Sequence, residues 1–165
     1  MLKIVSTTKW LVLSMFVLGL SVNPNLAHAQ GSRKVSEYNL QNAVGLKGYD
    51  PVAIFAEGGG APLAGMPGLS LDYQGVTYHF ASVQNRDQFQ LQPEKYEPTY
   101  GGWCAYAMAS GSKVDIQPQL FTVHGNRAHY FVSARAKQNF DRDISGHESR
   151  ADGFWKMFSG EDPRL

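Results

Sequence analysis

Two stretches about fifty residues apart share one layout, and that layout limits the folds open to the chain. "LSLDYQGVTYHFAS" (69–82) and "QLFTVHGNRAHYFVS" (119–133) each read as two short strands around a tight turn, at Gln74-Gly75 in the first and between His124 and Arg127 in the second. Each then enters a helix, with Ser82 and Ser133 as N-caps. Phe80 precedes Ser82 and Phe131 precedes Ser133 by the same step. Phe89 and Phe140 each follow their serine by two helical turns. The coincidence of serine, both phenylalanines and turn glycine reads as an internal repeat of hairpin plus helix. It predicts that Phe80 and Phe131 are both buried. The fold class that follows is α+β: a small single domain with two β-hairpin–helix units and short flanking helices.

The N-terminus is built for export. Lys3 and Lys9 precede the uncharged apolar run "WLVLSMFVLGLSV" (10–22), and Ala27-His28-Ala29 gives a small-x-small cleavage site. The run is shorter than the ~20 residues that span a bilayer. Residues 1–29 are therefore expected to be a signal peptide, with a mature chain from Gln30 that is periplasmic or secreted and has no membrane span. Cleavage removes two lysines and no acid, taking the net charge from +1 to −1. Such a balance gives no footprint for nucleic acid or an acidic membrane surface.

Residues 30–44 form a polar lead-in, and the domain proper is expected over 45–160. Asp50 and Pro51 are good N-cap and first-turn residues, so "PVAIFAE" predicts a short helix from 51 to 57, stopped by Gly58 to Gly60. Gly101-Gly102 allow a sharp turn, Cys104 to Ala109 read as a short helix, and Gly111 is its C-cap. Phe154, Trp155 and Phe158 give the tail an apolar helical stripe that covers the core.

Cys104 is the only cysteine, so no internal disulfide can form and the fold rests on its core. Three readings of it stand. As a small hydrophobe it packs among Ala105, Ala107, Trp103 and Tyr106. Near a helix start its thiolate is favoured, which suits a reactive thiol. With Met108 one turn on, on the same helix face, it makes a soft thiolate–thioether pair suited to Cu(I). Tyr96, Tyr100, Tyr106 and Trp103 would form an aromatic cluster around it. His79 lies beside Phe80 on a strand and so faces the opposite side, outward or into a cleft, whereas His129 shares the face of Phe131. His147 reads as solvated. No HxxxH, CxxC or HExxH spacing marks a zinc site, and no GxSxG or phosphate loop is present.

"LKGYDPVAIF", "YHFAS" and above all "PEKYEPTYGGWCAYA" (93–107) resemble the YHS domain family, in particular its small exported bacterial members. Tyr78, His79 and Ser82 fall on the family's name motif, and the resemblance covers residues 45 to 140. It implies a small α+β domain and an association with metal chemistry. Short members often carry two cysteines, so the single Cys104 departs from that pattern. The resulting expectation is a non-catalytic periplasmic soft-metal protein, with copper on Cys104, Met108 and His79 and with His129 and Tyr78 as further candidates. Its partner would be the metal ion or an unidentified periplasmic protein. The alternatives are a thiol-dependent enzyme using Cys104 and a structural or interaction module with no metal.

Overall fold

In a computed structural model that describes residues 33–164, the two expected hairpins are β3 (Met66–Tyr73) with β4 (Val76–Phe80), and β5 (Gln117–His124) with β6 (Arg127–Phe131). The predicted signal segment lies outside the described residues. Two further two-residue strands, β1 (Leu40–Gln41) and β2 (Val44–Gly45), extend the first hairpin into a four-stranded sheet of order β1-β2-β4-β3. Its β2–β4 contact is parallel, through Val44 and Thr77. The second hairpin stands alone as a two-stranded sheet. Strands mixed with helices in one small domain make the protein α+β.

Both hairpins break register at the same place. In the first, Met66 pairs with Phe80, and the next pair is Ser70 with His79. In the second, Gln117 pairs with Phe131, and the next is Phe121 with Tyr130. Each bulge leaves extra residues on the leading strand and re-aims the end of the hairpin towards its helix. Those helices are α1 (Val83–Leu91) and α4 (Ala134–Asp141). The Ser82 hydroxyl accepts from the Asn85 N–H and the Ser133 hydroxyl from the Ala136 N–H, so each serine caps its helix. Between the units lie one-turn helices α2 (Pro93–Tyr96) and α3 (Ala105–Met108), and α5 (Ile144–Ser159) closes the chain.

The core is aromatic. Phe80, Phe89, Phe131 and Phe140 are all fully buried. Phe80 meets Phe89 at 5.3 Å between ring centroids, and Phe131 meets Phe140 at 5.2 Å. Trp155 on α5 packs edge-on against Tyr38, which ties the last helix to the lead-in. Phe154 and Phe158 flank it, half-buried, and α5 begins ten residues before that stripe.

The expected helix over 51–57 does not form. Residues 51–54 are a buried turn, Phe55 is extended, and only Ala56–Gly58 make a 3-10 turn. Asp50 explains the difference. Its Oδ1 accepts from the Val52 and Ala53 N–H groups as an N-cap would, but its Oδ2 accepts from the Ala81 N–H and the Asn85 amide. The carboxylate thereby pins the turn to the end of β4 and to α1, and Val52, Ile54 and Phe55 are all buried where a helix would leave one side wet. Among the described residues no helix is long and apolar enough to cross a membrane.

Candidate functional site

Cys104 is the N-cap residue of α3 and is wholly buried. Its N–H donates to the Val114 carbonyl, its own carbonyl accepts from the Met108 N–H, and the residue bridges Tyr130 on β6. Met108 is wholly buried too. Thiol and thioether thus share one short helix, closed from solvent. Of the aromatics expected around the cysteine, Tyr96 and Tyr100 share its buried core cluster, and Trp103 and Tyr106 pack against that cluster. Tyr96 packs on Phe55, Tyr100 on His129 and Tyr106 on His147, and the Trp103 indole N–H donates to the Glu37 carbonyl.

Cys104 stands before the second hairpin much as Asp50 stands before the first. Asp50 follows Gly48-Tyr49 and Cys104 follows Gly102-Trp103, and each reaches the last residues of its hairpin. Where Asp50 uses four hydrogen bonds, Cys104 meets apolar neighbours in the core cluster. Packing accounts for this position with no ligand present.

His79 is placed differently. It projects from the half-buried side of β4 into an open cleft of about 360 Å³. Gln41, Asn42, Lys47, Gly48 and Gly65 form its wall, and neither Cys104 nor Met108 lines it. Two glycines pack against His79, Gly48 at the ring and Gly65 at the backbone and Cβ. A Cβ on Gly48 would lie 3.1 Å from His79 Nδ1, and one on Gly65 would lie 2.6 Å from His79 Cβ, so any side chain at 65 would collide with the strand. Among the described residues the imidazole makes no hydrogen bond. The backbone beside it is strained: Asn42, Ala43, Leu46 and Lys47, none of them glycine, all have φ between +51 and +66. Such conformations persist where the surroundings over-determine them, and they concentrate at binding sites. The histidine was legible from its alternation with Phe80. The left-handed pairs at 42–43 and 46–47, on either side of β2, were not, because nothing in "NAVGLK" signals positive φ at alanine, leucine or lysine.

The other two candidates serve the interior. Tyr78 is fully buried and donates from its hydroxyl to Glu97 at 2.8 Å; burial, then the Glu97 charge, push its phenol far above the ordinary range. His129 is buried, with Nε2 2.7 Å from Glu148 Oε1. Burial holds its pKa below the usual histidine range, against the pull of Glu148. Burial pushes the Glu148 carboxyl up, but the His129 hydrogen bond and the Arg127 charge outweigh it, so Glu148 sits low. At neutral pH the pair is therefore a neutral imidazole donating to a carboxylate, which leaves Nδ1 as a buried acceptor without a partner among the described residues. Arg127 lies 3.7 Å from Glu148 and bonds Asp152 and the Tyr100 hydroxyl. His147, expected in solvent, is half-buried against Phe140 and Tyr106.

Among the described residues no three histidine, cysteine, aspartate or glutamate side chains stand together as a metal-binding group. No family model, curated protein or solved structure matches this chain.

Proposed function

We propose that this is an exported, non-catalytic binding protein of the YHS-domain type, and that it binds its ligand in the cleft at His79. One observation carries the reading: an imidazole with no hydrogen bond among the described residues, open to a cleft, with Gly48 against its ring, Gly65 against its backbone, and left-handed residues nearby at 42, 43, 46 and 47. A fully buried thiol offers no nucleophile to a substrate, so the geometry does not favour a thiol-dependent enzyme. The soft-metal reading keeps one specific support, that Cys104 and Met108 lie one turn apart in the same buried place. A Cu(I) ion would have to enter by local opening around α3, and His79 would not be among its ligands.

The two readings separate in one experiment. The ¹⁵N-labelled mature protein is titrated with the low-molecular-weight fraction of a periplasmic extract, and separately with Cu(I). Cleft binding predicts amide shifts confined to residues 41–48, 64–67 and 79, abolished by His79→Ala. The cleft reading is wrong if the extract leaves those residues unmoved. Stoichiometric Cu(I) shifts around 104–108, lost in Cys104→Ser, would establish the soft-metal reading in its place.

A further inference from the structure

We propose that the His79 cleft recognises an oxyanion, a carboxylate or phosphate group on a small molecule. The inference rests on that cleft being the binding place and adds the chemistry of its ligand. Four polar side chains line it: the Lys47 ammonium, the His79 imidazole and the amides of Gln41 and Asn42. No carboxylate is among the lining residues. Each of the four can donate. The ammonium carries three N–H donors, each amide two, and the imidazole at least one in either charge state.

Lys47 is held ready. It bonds Asp115 Oδ2 at 2.6 Å, which uses one of its donors and leaves two. Asp115 is fixed in turn by the Asn39 amide at 2.9 Å and the Ile116 N–H at 2.7 Å. Burial pushes its carboxyl up, but the bonds from Asn39 and Lys47 outweigh that and keep it ionised. The ammonium is thus anchored from outside the cleft, with its charge at the wall. Two of the four donors, Asn42 and Lys47, sit on left-handed backbone at φ +53. Asparagine adopts that conformation readily, whereas for Lys47 it is sterically costly. A metal cation would find one imidazole, an ammonium already paired with Asp115 and no anionic ligand among the lining residues. Four donor side chains, one of them an ammonium whose Asp115 partner lies outside the lining, and no carboxylate among the lining residues match an oxyanion.

The test titrates the ¹⁵N-labelled mature protein with sodium phosphate and with sodium acetate, at ionic strength held constant with chloride. The expected result is saturable shifts at residues 41–48 and 79 with at least one anion; which one saturates identifies a phosphate or a carboxylate as the recognised group. Lys47→Gln and His79→Ala should each weaken binding by about tenfold or more, the worth of a charge-assisted hydrogen bond. Spectra unchanged away from the cleft show that the variants are folded. Two results overturn the inference: no saturable shift with either anion, or unchanged affinity in both variants. If the periplasmic fraction moves these residues while both anions leave them still, the cleft remains the binding place and the oxyanion is wrong.

Discussion

A single histidine illustrates how burial sets chemistry here. His129 and Tyr78 hold matching positions in the two hairpins, each fully buried and each bonded to one carboxylate. Tyrosine does this without titrating near neutrality. Histidine does not, because its ordinary pKa lies near 6.5. In the folded chain that pKa is depressed by burial, so on acidification the unfolded state takes up the proton first. Glu148, also depressed, acts in the same direction at lower pH. Stability is therefore complete above about pH 6.5 and falls as pH drops below that value. Thermal melts of the mature protein from pH 8 to 5 should show that decline, and His129→Gln should flatten it between pH 6.5 and 5 even if the variant melts lower throughout. An unchanged slope in the variant would assign the acid sensitivity elsewhere. Arg127, Asp152 and His124 face the same pair and are retained in both proteins, so the comparison reads His129 together with its coupling to Glu148.

Whole elements depend on single polar anchors. Ser82 and Ser133 each accept one N–H at the head of a helix of eight or nine residues, too short to be stable alone. Ser82→Ala and Ser133→Ala should each cost about 0.5–2 kcal/mol in denaturant unfolding, with similar m-values. A loss confined to one of them would mean that the two units are not anchored alike. These caps, the buried phenylalanines and both hairpins were legible because their signals are local: alternation, a turn dipeptide, a serine before an apolar spacing. The turn at 51–54 was not. Asp50-Pro51 carries a good helix-start signal, and what overrides it is a bond to Asn85, thirty-five residues away. The alternation with Phe80 allowed a cleft at His79, but its walls were illegible for the same reason. The cleft exists because Gly48 and Gly65 close on His79 from separate segments, and no local pattern joins them.

At the scale of the molecule, the described chain begins and ends on one buried carboxylate. Both oxygens of Glu97 accept from Arg33, at 2.9 and 2.7 Å, while Arg164 reaches Glu97 Oε2 at 2.9 Å and Tyr78 donates to Oε1. Arg33 also lies over the rings of Tyr38 and Tyr73, 5.0 and 5.3 Å from their centroids. Burial alone would lower the pKa of both arginines, but the Glu97 carboxylate more than reverses it and keeps them charged. Glu97→Gln would leave two largely buried guanidinium groups with Glu161, at 3.7 and 3.3 Å, as their remaining carboxylate, at a cost below the ~3–5 kcal/mol of a fully unpaired buried charge. Arg164→Ala, which leaves the Arg33–Glu97 pair intact, should cost less. Guanidinium unfolding of the two variants checks the order, and equal losses would refute a shared anchor at Glu97. Because residues 33 and 164 grip the same side chain, the two ends of the described chain leave the domain side by side. The topology is thus nearly a closed loop: a short linker could join those ends, and new termini opened at the exposed Gly59-Gly60 turn would give a circular permutant with both sheets, the core and the cleft in their original order in space.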